Sequence, residues 1–455
     1  MTEETKQKTQ ALEGKAALEL WRQGKVSWNS WIKQHPNGLI NFAYVDFSIE
    51  RDSKGKLSFA GYHFGDGNVD FTKSTFGNGT VDFSAANFGN GGVYFSDASF
   101  GNGDIDFSRA TFNGDDIDFS NAILGKGNLN FSEAKFSNGS LRFNETTFGS
   151  GDLDFSESTL SNVYLAFINA TFDDGSIYFY QAKLDQIKVK FSSARIRNLY
   201  FNPKVIGLGR IEAEGLSIKG RSTFELPPSA RTLESFNLHS ASFDGPLTLA
   251  GDLSIIPDLR ATRYSHQVDL SDLKVKLRRK QFWSIGVRKI YSVAQDPQDA
   301  ARLRRLKEIA ETNKDHQAAL RFSADENRAK RWIETSWFGS VLDMAFSAFS
   351  DYGQNILRPF VALIVLTAAS MGLYKTLATE TSAAGWEGWA QAALLSASNS
   401  LPFLPQSRDL REDALTALYG ADPGLWVNAI MIAQGVLSFI FLFLIGLGLR
   451  NRFRL

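Results

Sequence analysis

Apolar residues recur at fixed intervals between Phe64 and Phe201, where a twelve-residue unit repeats almost without slippage. One unit, from Phe76 to Asn87, reads F-G-N-G-T-V-D-F-S-A-A-N. A fixed period of this kind is typical of a solenoid built from stacked coils. The second aromatic position of the unit should form the solenoid core, and it is phenylalanine throughout: Phe71, Phe83, Phe95, Phe107, Phe119, Phe131, Phe143, Phe155, Phe167, Phe179 and Phe191.

The spacing within the unit is that of short strands. Val81 and Phe83 are two residues apart, as are Ala86 and Phe88, so each pair points to one face. A reversal between Phe83 and Ala86 would hold strands about 5 Å apart, whereas sheets facing each other across aromatic side chains need about 10 Å. This link must therefore be a corner, with glycine expected to supply the positive φ that corners need. Two corners per unit predict a four-sided coil of about 24 residues.

The alternation of V-D-F-S-x with A-x-F-G-N resembles the pentapeptide-repeat family. The resemblance implies an all-β, right-handed quadrilateral β-helix with a stacked phenylalanine or leucine at each face centre. Two extra residues, the second G-x of G-N-G-x, make the face centres alternate between five and seven residues apart. This departure predicts two wider corners per coil. The same scaffold has unrelated roles in different proteins, so the resemblance indicates a fold and not an activity.

The repeat divides the chain into regions of different character. A helix is predicted over 11–21, in a segment that would cover the open edge of the first coil. The pattern weakens after residue 201 and gives way after residue 273 to two predicted helices of basic composition. We expect an N-terminal helical cap over 1–36, a solenoid over 37–273 that is regular over 61–201 and irregular over 202–273, a basic α-helical linker over 274–337, and a two-span membrane domain over 338–455.

Two uncharged stretches near the C-terminus, at about 357–377 and 425–449, are long and apolar enough to cross a bilayer. The arginines that flank them place both outer flanks in the cytosol by the positive-inside rule. Residues 1–14 lack the apolar segment of a signal peptide, which agrees with that orientation. The sequence thus predicts a multi-pass protein of a bacterial inner (cytoplasmic) membrane, with N- and C-termini in the cytosol.

Two further runs extend the resemblance. Residues 350–359 and the C-terminal R-N-R-F-R resemble a bacterial subgroup of pentapeptide-repeat proteins with two C-terminal transmembrane segments. Basic residues are frequent beside these segments, and a belt facing anionic lipid explains them better than nucleic-acid binding does. The lipid bilayer is therefore an expected partner and nucleic acid is not. The candidate lipid-facing residues are Arg328, Lys330, Arg331, Arg358, Arg450, Arg452 and Arg454.

The segment between the two spans allows two interpretations. Residues 384–400 have helical spacing and end in L-P-F-L-P, and a span, short helix, turn and span is the layout of two-span pore-loop channels. The potassium-filter signature T-V-G-Y-G is absent. The helix is either re-entrant and borders a pore in a homo-oligomer, or it lies on the outer leaflet while polar residues of the second span hydrogen-bond to neighbouring helices. The candidate pore or loop residues are Ser398, Asn399, Ser400, Leu401, Pro402, Phe403, Gln434 and Ser438.

Little in the sequence points to catalysis. There is no cysteine, the five histidines have no ligand spacing, and the common phosphate-loop, zinc-protease and nucleophile-elbow motifs do not occur. The aspartates of the repeat are expected to form a solvated face. We predict no catalytic, cofactor or metal residues and no cofactor. The expected function is a membrane-anchored scaffold whose cytosolic solenoid recognises an unknown protein partner, and the alternative is a subunit of an oligomeric pore-loop ion channel.

Overall fold

The protein is represented by a computed structural model, which describes residues 11–114, 116–281, 292–379, 385–401 and 406–453. It forms two compact units. The first comprises Met1–Lys280 and Ala294–Phe322, and the second comprises Gln281–Val293 and Ser323–Leu455.

The first unit is a parallel β-solenoid of about 11 turns, with about 24 residues per turn. Strands in successive turns pair in parallel, as Leu129 does with Leu153, and among the described residues they form four long sheets. The four-sided, 24-residue coil predicted from the sequence is therefore confirmed. The first sheet contains Ala11–Glu13, Leu39–Asn41, Val69–Asp70, Val93–Tyr94, Asp116–Asp118, Gly139–Arg142, Val163–Ala166, Ile187–Lys190, Gly209–Glu212 and Leu233–Asn237.

The other three sheets follow in the order in which the chain visits them. The second contains Ile123–Leu124, Thr147–Phe148, Thr171–Phe172, Arg195–Ile196, Ser217–Ile218, Ser242–Phe243 and Arg263–Tyr264. The third contains Leu57–Ser58, Val81–Asp82, Ile105–Asp106, Leu129–Asn130, Leu153–Asp154, Ser176–Tyr178, Asn198–Phe201, Ser222–Glu225, Leu247–Leu253 and Val268–Asp269, with Leu273–Val275 also paired to Leu247–Leu253. The fourth contains Thr111–Phe112, Lys135–Phe136, Thr159–Ser161, Lys183–Asp185 and Val205–Ile206. Further strands span Arg279–Gln281 and Ser292–Ala294.

Stacked phenylalanine rings fill the interior of the solenoid, and those at the second aromatic position of the unit form two columns that face each other. Phe71 stacks on Phe95 with ring centroids 4.9 Å apart, and Phe83 stacks on Phe107 at 4.7 Å. Phe71 meets Phe83 edge to face across the core at 5.8 Å. The predicted stacking at 24-residue intervals is thus confirmed. Burial of each ring contributes roughly 1.5–3 kcal/mol to folding.

The corners confirm only in part the expectation that glycine supplies the positive φ, which it does at Gly77 (φ 67°) and Gly101 (φ 66°). At one corner of each twelve-residue unit a non-glycine residue is left-handed, as at Glu133 (φ 57°) and Glu145 (φ 59°). Glycine instead lines the wider corner, where a Cβ on Gly103 would lie 2.0 Å from the carbonyl oxygen of Gly79 one turn away. Close contact between successive coils is therefore a second reason for glycine at the wider corner, because only glycine lets the two backbones approach.

The aspartates of the repeat do more than face solvent. The Oδ1 of Asp82 accepts a hydrogen bond from the backbone N–H of Ser84 at 2.8 Å, and Asp106 does the same for Ser108. The side chain of an Asp or Asn bonds its own backbone two residues on in this way when the chain turns. The D-F-S motif is therefore a corner-forming element. The sequence had predicted only a solvated face for these aspartates.

Helices cover both ends of the solenoid. At the start, α1 (Gly14–Arg22) and α2 (Lys25–Gln34) cover the first coil, and the Nε1 of fully buried Trp28 donates to the carbonyl of His63 at 2.7 Å. The predicted helix over 11–21 is wrong at its start, because Ala11–Glu13 pairs as a strand with Leu39–Asn41. At the other end, α3 (Asp299–Thr312) packs on the last coils, with the Nη2 of Arg305 donating to the carbonyl of Thr262 at 2.8 Å.

The second unit is helical. After α4 (His316–Lys330), which begins in the first unit, come α5 (Trp337–Ser350), α6 (Leu357–Thr376), α7 (Gly385–Ser400), α8 (Ser407–Tyr419) and α9 (Gly424–Phe453). Two of these are long and apolar enough to cross a membrane: α6 has 20 residues and a mean hydropathy of 1.6, and α9 has 30 residues and a mean hydropathy of 2.5. The sequence did not predict α5 or α8.

Candidate functional site

A buried polar network joins α6, α7 and α9 in the helical unit, and Gln434 of α9 is at its centre with 1% of its surface exposed. Its Nε2 donates to the backbone carbonyl of Ser396 at 2.9 Å and to the hydroxyl of Ser400 at 2.8 Å. Its Oε1 accepts from the hydroxyl of Tyr374 at 2.7 Å and from the Nδ2 of Asn399 at 3.2 Å. Both ends of the amide are therefore used in contacts between helices.

Side chains at the edge of the network extend these links. The hydroxyl of Ser396 donates to the carbonyl of Thr367 at 2.7 Å, and the hydroxyls of Thr367 and Ser400 are 3.0 Å apart. The sequence analysis missed Thr367, Tyr374 and Ser396. Polar residues seven positions apart on an otherwise apolar helix, such as Thr367 and Tyr374, share one helical face and were the signal that could have found them.

The network determines how α7 lies relative to α6. Thr367 is ten residues from the first residue of α6, or roughly 15 Å along the axis at the helical rise per residue. Ser400 at the end of α7 contacts Thr367 there, while Leu395 belongs to the buried cluster that contains Tyr374, nearer the other end of α6. The helix α7 therefore packs along α6 and ends near the middle of its length.

The remaining predicted pore residues are placed as follows. Ser398 is 7% exposed, with its hydroxyl donating to the carbonyl of Leu395 at 3.0 Å. Ser438 is fully buried, and its hydroxyl has no hydrogen-bond partner among the residues that the structure describes. Leu401 lines an apolar groove between α6 and α7. Pro402 and Phe403 lie outside the described residues.

A second polar cluster links the end of α4 to the end of α5. The Nε of Arg331, a residue only 6% exposed, donates to the Oδ2 of Asp343 at 2.7 Å, and its Nη2 donates to the hydroxyl of Tyr352 at 3.0 Å. The Tyr352 hydroxyl in turn donates to Asp343 at 3.0 Å. Burial, and then the charge of Asp343, raise the pKa of Tyr352 to about 12. We name Arg331, Asp343 and Tyr352 the α5 clamp.

A strained turn carries the tyrosine of the clamp. Asp351, Tyr352 and Gly353 are all left-handed, with φ values of 50°, 57° and 76°, which is costly for the two non-glycine residues. Asp351 is held by an ion pair with Arg328, and the Nδ2 of Asn451 in α9 donates to the carbonyl of Gly353 at 3.2 Å. The D-Y-G sequence thus ties together α4, α5 and α9.

These contacts change the interpretation of the basic residues. Arg328, Lys330 and Arg331 were expected to face lipid, but Lys330 forms an ion pair with Glu326 at 2.5 Å and the two arginines pair with aspartates. In this conformation buried Arg331 is turned toward Asp343 instead of outward, because its charge is balanced within the chain. Arg358, Arg450 and Arg452 are exposed, which agrees with the outward position expected of them. Arg454 lies outside the described residues.

The end of the solenoid holds a polar cavity of about 360 Å³ between the last strand of the first sheet and the start of α3. Asp258 is 6% exposed on its wall and pairs with Arg260 at 2.7 Å and with Arg302 at 3.5 Å. Burial alone would raise the pKa of Asp258, but these two arginines outweigh it and the pKa is lowered. The ion pairs hold α3 against the last coils.

The outer face of the third sheet changes along the solenoid from acidic to aromatic. Asp82 and Asp106 occupy outward positions on early coils, and Tyr178 and Tyr200 are in the same row further along. The tyrosine rings stack 5.0 Å apart, and alternate residues such as Ile177 are buried. Tyrosine is enriched in protein interfaces, so we name Tyr178 and Tyr200 the tyrosine ladder and treat it as a candidate contact surface.

No family model, no curated protein and no solved structure matches this chain. Its function must therefore be inferred from the residues and contacts themselves.

Proposed function

We propose that this protein is a membrane-anchored scaffold of the pentapeptide-repeat type, whose solenoid presents a recognition surface to a protein partner in the cytosol. The observation that carries the proposal is the combination, in one chain, of a long solenoid with two apolar helices whose surfaces are mostly exposed. A helix of this composition is unstable in water unless it is buried, and hydrocarbon is the environment that accommodates it.

The setting that we propose is a bacterial inner membrane with both termini in the cytosol. It is supported by exposed Arg358 at the start of α6 and exposed Arg450 and Arg452 at the end of α9. Both positions correspond to the same side of a bilayer if each helix crosses it once, and positive residues concentrate on the cytosolic side.

The proposed role is binding and not catalysis, with no cofactor. The tyrosine ladder supports it, because a row of outward aromatic side chains on a rigid sheet offers contact area that costs little conformational entropy on binding. We propose the tyrosine ladder as the surface that a protein partner contacts.

The channel alternative has less support. The side chains that would line a path, above all Gln434, Asn399 and Ser400, are buried among helices of one chain and hydrogen-bonded to one another. Such contacts are how polar residues hold helices together in a membrane. The packing of α7 along α6 is explained by these contacts without a pore.

The test combines fractionation with site-specific crosslinking in cells. A photo-crosslinking amino acid replaces Tyr178 in the full-length protein, and the matched control carries it at Thr171, an outward residue of the second sheet. We expect the protein in the membrane fraction and a crosslinked protein partner from position 178 that is absent from position 171 and lost with Tyr200→Ser. Recovery in the soluble fraction, or equal crosslinks from both positions, would contradict the proposal.

A conductance measurement tests the alternative separately. Purified protein in a planar bilayer is expected to be silent. Ion flux that changes with Asn399→Ala or Gln434→Leu would instead establish the channel.

A further inference from the structure

The helix α5 has its polar and apolar sides reversed relative to a surface helix of a water-soluble protein. Its outward residues fall at positions 337, 338, 341, 342, 345, 348 and 349, which is one continuous face at helical spacing. Trp337 is 68% exposed, Phe338 66% and Leu342 55%. Few monomers in water leave a continuous face of this kind uncovered.

The opposite face of α5 carries its polar residues and is turned toward the protein. Ser340 and Ser350 are buried, and the hydroxyl of Ser340 accepts a hydrogen bond from the backbone N–H of Trp332 at 3.1 Å. Asp343, the one charged residue of this helix, is neutralised in the α5 clamp by Arg331 and accepts a hydrogen bond from Tyr352. The clamp therefore removes the charge that would oppose contact of α5 with an apolar medium.

The position of α5 in the helical unit indicates that this apolar medium is the bilayer. Only six residues separate its end from the start of α6, and the ring of Phe349 lies 5.2 Å from that of Phe441 in α9. The turn after α5 is bonded to Asn451, beside the exposed Arg450 and Arg452. The apolar face is thus continuous with the lipid-exposed surfaces of α6 and α9, at the end of those helices that carries the arginines.

We infer that α5 is an interfacial helix that lies in the cytosolic leaflet of the same bilayer, with Trp337, Phe338, Leu342 and Phe349 among the acyl chains. The inference rests on the proposed membrane anchoring and adds to it a third membrane-contacting element. Helices with one apolar face bind in this way at the boundary between headgroups and acyl chains. The clamp then holds the charge of Asp343 on the protein side of the helix, away from lipid.

The chain contains no cysteine, so single-cysteine variants can be spin-labelled without altering the background. Full-length Phe338→Cys and Leu342→Cys are reconstituted in vesicles of phosphatidylethanolamine and phosphatidylglycerol, and collisions with oxygen and with a water-soluble nickel chelate are measured. The controls are Ile364→Cys on α6, a residue 52% exposed, and Tyr44→Cys on the solenoid, 73% exposed.

We expect the labels at 338 and 342 to collide with the nickel chelate several-fold less often than the label at 44, and with oxygen more often. Labels at 338 and 342 that behave like the label at 44, while the label at 364 is in lipid, would overturn the inference and leave the anchoring intact. A label at 364 that is open to the chelate would overturn the anchoring itself. Dipolar broadening that disappears on dilution with unlabelled protein would show that a second copy covers α5, and would also overturn the inference.

Discussion

The solenoid and the helical unit distribute their side chains in opposite ways. In the solenoid the buried side chains are mostly phenylalanine, leucine, isoleucine, valine and alanine, and most polar residues lie on the outer faces. In the helical unit α6 and α9 turn isoleucine, leucine and phenylalanine outward, whereas Gln434 and Asn399 are buried between helices. The first distribution is typical of a fold in water, and the second is the one expected of helices in a bilayer.

This difference indicates that different interactions hold the two units together. Water drives phenylalanine rings into the solenoid core, and backbone hydrogen bonds join successive coils. In the bilayer that we propose for the helical unit, hydrocarbon would give no such drive between apolar helices, and packing and hydrogen bonds between side chains would join α6, α7 and α9. Four variants, taken in order of expected effect on stability, test this difference between the two units.

The largest effect is expected from removing one ring of the solenoid core. Phe119 is fully buried between Phe95, at 4.7 Å, and Phe143, at 5.2 Å. Phe119→Ala should lower the free energy of unfolding by about 3–5 kcal/mol because a cavity remains. Denaturant unfolding followed by circular dichroism measures it, with Ile123→Ala, at a residue 57% exposed, as the control. A loss no larger than that of the control would contradict a core held by ring packing.

The stability that Asp258 gives to the end of the solenoid should decrease in acid. The folded-state pKa of Asp258 is below the ordinary value of 3.8, so its stabilising effect is present above that pH and is lost as the pH falls through the folded pKa. Asp258→Asn should cost about 1–3 kcal/mol near neutral pH, where its charged hydrogen bonds are complete, and less in acid. Unfolding measured between pH 7 and about pH 3 tests this. Exposed Asp244→Asn is the control, and equal pH profiles for the two variants would exclude this role.

Removing the buried amide of Gln434 should destabilise the helical unit by a moderate amount. Gln434→Leu makes α9 more apolar, yet it removes the partners of Ser396, Ser400 and Tyr374. We expect a loss of about 1–2 kcal/mol, the range of hydrogen bonds between membrane helices. Thermal unfolding of helical circular dichroism in detergent measures it. Ile432→Ala, on the exposed side of α9, should change little, and a stabilising Gln434→Leu would show that apolar packing alone suffices.

The smallest effect should be a gain of stability at a corner. Glu145 is exposed and left-handed, a conformation that costs about 1–2 kcal/mol for a residue with a Cβ. Glu145→Gly should therefore stabilise the solenoid by about 0.5–1 kcal/mol, after the greater freedom of glycine in the unfolded chain is deducted. Denaturant unfolding checks this, and Glu145→Ala is the control that keeps the strain. Equal stability of the two variants would show that the corner is not strained.

Much of the solenoid could be predicted because its contacts repeat. Phe83 and Phe107 have the same neighbours in successive coils, so a period in the sequence corresponds directly to a stack in space. The corners were predicted less well. Glycine was expected where φ is positive, and Gly77 meets that expectation, but Glu133 takes the same conformation at the other corner. Gly103 is needed where the backbone of another coil approaches. That approach involves residues 24 positions away and is not visible in a local pattern.

The sequence by itself determined the four-sided coil, its 24-residue period, its phenylalanine core and the two long apolar helices, because each depends on periodicity or composition over many residues. Only the tertiary structure decided how α7 lies along α6, that Gln434 bonds to Tyr374 and Ser400, and that Asp343 is neutralised by Arg331. These contacts each occur once, between residues 12 to 60 positions apart. A contact made once has no period, so its partners are known only when the chain has folded around them.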